Sequence, residues 1–295
     1  MRLVEATDEQ KRARDAVNYE AWGTLLTPAQ YGAREERLRA HPWSREALTS
    51  WLLVGDDGAV LASCEAYRME SFVGGSKGTT WSVASVFTER KLRGKGYASR
   101  MMSLLVERVR EIDPPAHAVV LYSDVGTAIY ERAGFVVAAE GQDRAWSAEP
   151  GDLAADLLTE PIDLARPDDP FVVWPNAAQI DWHRERERAY ASLLDRTPIP
   201  TSGARAGDGV LLWMTGFRAD RLLILGWNGR QLAPLIQTAR SVAASAGLDK
   251  VVMWDQPGAS GGWLEGRVGG VPMLHAIDTR VRASDWRTIP RAVWV

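Results

Sequence analysis

"KLRGKGYASRM", residues 91–101, decides how this chain is read. Two glycines and three cations, Lys91, Arg93 and Lys95, stand at the start of a run with helical spacing. The first N–H groups of a helix have no intrahelical partners, and the macrodipole adds positive potential there, so a helix start attracts anions. Gly94 and Gly96 would let a phosphate approach the backbone closely. From Arg93 through Gly94, Lys95, Gly96, Tyr97 and Ala98 the loop offers successive backbone donors. Taken alone, the stretch reads equally well as a basic surface turn. It is not a P-loop, because no Gly-Lys-Ser/Thr follows four residues after a first glycine. It is not a dinucleotide fingerprint, because Ser99 stands where the third glycine or alanine belongs.

The neighbouring sequence gives the loop its context. "TTWSVASVFT" (79–88) reads as a strand rich in valine, threonine and aromatics. "YASRMMSLLVERVREI" (97–112) puts Met101, Leu104, Leu105, Val109 and Ile112 on one helical stripe, and Pro114-Pro115 stops it. Strand "AHAVVLYS" (116–123) follows, then a short helix in "DVGTAIYERAG" (124–134) with Asp124 as N-cap and Gly134 as its stop. "FVVAAE" (135–140) and "RAWSAE" (144–149) are expected to be the last strands of this unit. Upstream lie a strand at 2–7, a helix from Asp8, a helix capped by Thr27 with Pro28 in its first turn, and a hairpin (49–67) turning at Asp57-Gly58. Residues 1–150 therefore read as one mixed α/β domain.

The proline-rich, acidic stretch 151–170 reads as a linker. In 171–295 a helix (181–194), a strand pair (209–227), a helix (232–247) and a strand (250–255) repeat the order of elements around 49–124 without the glycine loop. A second α/β domain that is a degenerate copy of the first is the expectation. "HRERERAY" (183–190) reads as a solvated helix face.

Composition sets outer bounds. A net charge of -3 argues against binding nucleic acid by phosphate neutralisation. The lone Cys64 excludes an intrachain disulfide and a cysteine-based zinc site. The four histidines show no metal-ligand spacing, so no metal is expected. No apolar run is long enough to span a bilayer, and a cytoplasmic protein with no membrane partner is expected. The thirteen tryptophans are spread along the chain and read as core or pocket wall.

Arg93-Gly94-Lys95-Gly96-Tyr97-Ala98 resembles the Arg/Gln-x-x-Gly-x-Gly/Ala motif of the GNAT superfamily of N-acetyltransferases. Thirty residues on, Ala128, Tyr130, Gly134 and Phe135 in "DVGTAIYERAGF" resemble that family's second hallmark. The passages "SVASVFTERKLRGKGYASRMM", "VGTAIYERAGF" and "GVPMLHAIDTRV" look similar to its fungal lysine N-acetyltransferase group. The resemblance implies a central mixed sheet flanked by helices and acetyl-CoA as cosubstrate. It sets the pyrophosphate on loop 93–98 and the pantetheine beside 83–88, where backbone groups of Ser85, Val86 and Phe87 would polarise the thioester carbonyl. It makes Tyr130 the acid that protonates the departing thiolate.

An acceptor amine is mostly protonated at neutral pH and must lose a proton before attack. Glu65, on one strand face with Ser63 and Tyr67 by alternation, could take that proton directly or through water. It reads equally as a solvated strand glutamate. Asp255, at the end of strand 250–255, is a further candidate for binding a cationic acceptor. The acceptor expected is a small-molecule amine, lysine-like or part of a natural product. The alternatives are a protein N-acetyltransferase and a non-catalytic acyl-CoA sensor. A homo-oligomer remains open.

Overall fold

A computed structural model describes residues 1–139, 142–266 and 270–295. The first elements are β1 (Arg2–Glu5), α1 (Asp8–Trp22), α2 (Pro28–Ala40), α3 (Pro42–Ala47), β2 (Leu48–Val54) and β3 (Val60–Val73). Helices α1 and α2 each begin with a reciprocal capping box, Thr7 with Gln10 and Thr27 with Gln30, and Pro28 opens α2. The turn between β2 and β3 places Gly58 at φ +82°, which only glycine adopts without strain. Next come β4 (Ser76–Phe87), α4 (Tyr97–Ile112), β5 (Ala116–Ser123), α5 (Ala128–Glu131) and β6 (Val136–Val137). Helix α4 buries Met101, Met102, Leu105, Val106 and Val109 against the sheet, as its apolar stripe dictates.

The remaining elements are β7 (Gln142–Ser147), β8 (Asp156–Leu158), β9 (Phe171–Val173), α6 (Ala177–Leu193), β10 (Gly203–Ala206), β11 (Gly209–Gly216) and β12 (Arg221–Asn228). Then follow α7 (Ala233–Ser245), β13 (Lys250–Trp254), β14 (Trp263–Gly266) and β15 (Val271–Ala276). Among the described residues no helix is long and apolar enough to cross a membrane.

Two sheets result, and they exchange strands. The first runs β1-β2-β3-β4-β5-β15-β6, with β9 added beside the far end of β3. The second runs β14-β7-β13-β12-β11-β10-β8. Each sheet carries a parallel pair joined by a crossover helix: β4 and β5 through α4, β12 and β13 through α7. Position by position the two orders match, so the second half has the architecture of the first. The strand expected to close the first unit, β7, instead pairs with β13 and β14 in the second sheet. Its place beside β5 is taken by β15, from near the end of the chain. A division at residue 150 would therefore take β9 and β15 from the first sheet and β7 from the second.

Other expectations are trimmed. The helix of 124–134 forms only at Ala128–Glu131. The strand of 135–140 forms only at Val136–Val137, and its last residue, Glu140, lies outside the described residues. The expected linker contains β8.

Candidate active site

The site starts at an irregularity in β4. Ala84 pairs with Glu65 and Phe87 with Ser63, so Ser85 and Val86 together oppose the single Cys64. This is a β-bulge, and Ser85 sits in it at φ +52°. A left-handed serine costs about 1–2 kcal/mol, so the surroundings must impose it. The parallel pairing of β4 with β5 ends at Val83 and Leu121. Beyond that point the two strands splay, and β4 has no ladder partner on that side over 84–87.

Loop 93–98 lies at the end of the splay. Gly94 and Gly96 both hold φ +79°, and a Cβ built on either would meet open space. Helix α4 begins at Tyr97 with Gly96 as its N-cap and no side-chain cap. Its leading N–H groups therefore carry no side-chain cap, and the space above the glycines leaves room for an anion. Arg93 donates from Nε to the Thr88 carbonyl at 2.9 Å and lies over the Phe87 ring, so it shapes the loop. Ser99 Oγ donates to the Ile129 carbonyl at 2.7 Å, tying α4 to the short helix that carries Tyr130.

Tyr130 is buried among Cys64, Val83, Leu121 and Phe135, edge-on to the Phe135 ring. Burial pushes its hydroxyl up to about 12, so it keeps its proton at neutral pH. Among the described residues its hydroxyl makes no hydrogen bond, and it lines a cavity of about 540 Å³. Glu65 lines the same cavity and accepts a hydrogen bond from Ser85 Oγ at 3.1 Å. Burial, then the nearby Glu35 carboxylate, raises Glu65 to about 7, against the partial relief of Arg39 and the Ser85 bond. That value puts its proton exchange at neutral pH, the range a general base needs. The strand glutamate is therefore not an ordinary solvated one.

The cavity brings together Glu65, Ser85, Val86 and Tyr130, while Phe87 packs beneath Trp22 and Arg93. Sequence reasoning missed several of its residues. Glu35 on α2, ion-paired to Arg34, belongs to the wall, as do Arg186, Arg291 and Trp294 from the second half. The stretch 183–190 is not a solvated face. His183, Arg184 and Glu187 are buried at the junction of the halves, where Arg184 and Glu187 pair, and Arg186 turns into the cavity. Asp124 does not cap the short helix: its carboxylate accepts from the Gly270 N–H at 2.7 Å, just before β15. Asp255 is ion-paired to Arg144 and is not part of the cavity wall.

The second half repeats the framework but not the opening. β12 carries a bulge against β11 at Leu225, and its pairing with β13 stops at Leu223. There the cleft is filled: a Cβ on Gly226 would lie 2.8 Å from the Leu164 side chain, and Leu164, Leu225, Val252 and Ala292 pack together. The loop before α7 is pressed down as well, because a Cβ on Gly229 would lie 2.4 Å from Gly209. Among the described residues no group of three or more His, Cys, Asp or Glu side chains is placed to hold a metal.

Residues 15–135 match the acetyltransferase (GNAT) family model, and residues 163–284 match the LYC1 GNAT-like C-terminal domain. A lysine acetyltransferase of Yarrowia lipolytica is 25% identical, over 87% of this chain and 84% of its own. A GCN5-related N-acetyltransferase from Kribbella flavida superposes with a TM-score of 0.57 at 19% identity, covering 94% of this chain and 71% of that one. A putative acetyltransferase from Pyrococcus horikoshii gives 0.52 at 11% identity, covering 99% and 95%. The two family matches together span most of the chain, a GNAT acetyltransferase domain in the first half and a GNAT-like C-terminal domain in the second.

Proposed function

We propose that this enzyme transfers an acetyl group from acetyl-CoA to the primary amine of a small molecule, by direct transfer with both substrates bound. The observation that carries this reading is the enclosure of the reactive residues. Glu65, Ser85 and Tyr130 open into one cavity of about 540 Å³, walled on its far side by the second half of the chain. A volume of that size suits a small ligand rather than a folded protein surface.

The residues divide the work. Loop 93–98 and the start of α4 would hold the pyrophosphate, and the free edge of β4 at Ser85–Phe87 would align the pantetheine. A backbone N–H in the bulge would stabilise charge developing on the thioester oxygen. Glu65 would take a proton from the acceptor ammonium. The freed amine then forms the new C–N bond as the C–S bond breaks, Tyr130 gives its proton to the departing sulfur, and the second proton that the nitrogen sheds on becoming an amide restores the Tyr130 hydroxyl. Holding amine and thioester together in the cavity supplies much of the rate.

A lysine-like acceptor is favoured by the relative from Yarrowia lipolytica and by the cavity itself, whose wall carries both carboxylates, Glu35 and Glu65, and guanidinium groups, Arg186, Arg221 and Arg291. The test is free-thiol release from acetyl-CoA with lysine, simple diamines, an aminoglycoside and a lysine-bearing peptide. Turnover is expected with a free small amine. Turnover restricted to the peptide would replace this reading with a protein N-acetyltransferase. Binding of acetyl-CoA with no turnover on any amine would indicate a sensor.

A further inference from the structure

Two cations in the cavity wall have no hydrogen-bond or ion-pair partner among the described residues. Arg186, on α6, lies over the Trp182 ring with its guanidinium carbon 4.9 Å from the centroid. Among the described residues it makes no hydrogen bond and no ion pair, and neither does the guanidinium of Arg221, at the start of β12. The other arginines of the wall are engaged: Arg34 with Glu35 and the Tyr190 hydroxyl, Arg218 with the Trp22 carbonyl, Arg291 with the Trp294 carbonyl. Arg291 stacks on Trp294, and burial together with the charges of Arg186 and Arg221 holds it down to about 9. Three guanidinium groups thus lie close together, and among the described residues neither Arg186 nor Arg221 is directly ion-paired to an acid, Glu35 reaching Arg186 only at longer range. Partly desolvated charge of one sign is unfavourable unless a counter-charge completes it. A guanidinium fork fits a carboxylate through two parallel hydrogen bonds.

The same wall carries two carboxylates, Glu35 and Glu65. A ligand spanning the cavity would present an ammonium to those carboxylates and an anion to the arginines. We propose that Arg186, assisted by Arg221, determines acceptor specificity by receiving a carboxylate at the end of the acceptor opposite its reacting amine. The proposal rests on the cavity being the acceptor site of the transfer described above. It gives the second half a part in the reaction, although its own cleft is filled. Arg186 and Arg221 act on binding, remote from the bonds that change.

The test compares lysine with cadaverine, which has the same amine spacing and no carboxylate, in the parent and in Arg186→Gln, Arg221→Gln and Arg186→Lys. The parent is expected to favour lysine in kcat/KM. Arg186→Gln should lower the lysine-to-cadaverine ratio about ten- to hundredfold, the scale of one charge-assisted contact, and mostly through KM. Arg186→Lys should recover part of the ratio. Equal losses on both amines, or a ratio unchanged in Arg186→Gln and Arg221→Gln, would overturn the proposal. So would a parent that prefers succinyl-CoA to acetyl-CoA and loses that preference in Arg186→Gln, because the carboxylate would then belong to the acyl donor. Calorimetric titration of lysine and cadaverine keeps the question separate from turnover. Lysine binding weakened selectively in folded Arg186→Gln supports the anion site even without thiol release, and equal weakening of both ligands refutes it.

Discussion

The proposed role of Glu65 as base rests on one titration. The half-ionised point near 7 predicts that kcat/KM for the acceptor rises about tenfold per pH unit below 7 and levels above it. Glu65→Gln should give a flat profile, lower by about 10²–10⁴ at pH 8. A variant that keeps the parent's rise through 7 would move the base elsewhere. The same group also affects stability. Its folded value lies above the ordinary 4.5, so the unfolded chain releases this proton first as pH rises. Stability contributed by the protonated carboxyl is present at low pH and lost progressively between about 4.5 and 7. The Tm of Glu65→Gln relative to the parent should therefore increase across that window, which paired thermal melts would register. Alternation in the sequence placed Glu65 on a face with Tyr67, but its environment comes from Glu35 and Arg39 on α2, about thirty residues earlier. No local pattern carries that information. Arg186 was hidden for a related reason: a charge run on a helix usually faces water, and only the docking of α6 against the first half turns it inward.

At the scale of elements, the strand, glycine loop and helix from β4 to α4 form the most self-contained part of the protein. Their geometry is set by nearby residues, and the sequence showed it almost to the residue. Gly94 and Gly96 are needed for their left-handed backbone and for the empty space above them. Gly96→Ala would force a Cβ into that conformation at about 1–2 kcal/mol and into the space a phosphate would occupy. The expected result is an increase of about tenfold in KM for acetyl-CoA, with KM for the acceptor little changed. A change confined to the acceptor would show that the loop does something other than hold the cosubstrate. The bulge at Ser85–Val86 was not legible, because nothing in "SVASVF" marks the residue at which β3 and β4 lose register.

For the whole molecule, strand exchange makes the halves interdependent. β7 and β15 are ordinary alternating strands whose partners lie more than a hundred residues away along the chain or in the other half, so sequence order assigned β7 to the wrong sheet. A fragment of residues 1–150 lacks β15 and should be insoluble alone, regaining solubility when 151–295 is co-expressed. Met273, fully buried in β15, contributes to the first sheet from the second half's sequence. Met273→Ala should cost about 2–5 kcal/mol. Circular dichroism and tryptophan fluorescence should still report one shared transition, whereas two separated transitions would show independent domains. The central claim, however, is that transfer occurs in the cavity shared by the halves, with Tyr130 as proton donor. Its most direct test is Tyr130→Phe, measured for thiol release with a free amine acceptor and, separately, for acetyl-CoA affinity. The account predicts a fall in kcat of about 10²–10⁴ with the affinity retained; a variant that turns over like the parent would contradict it.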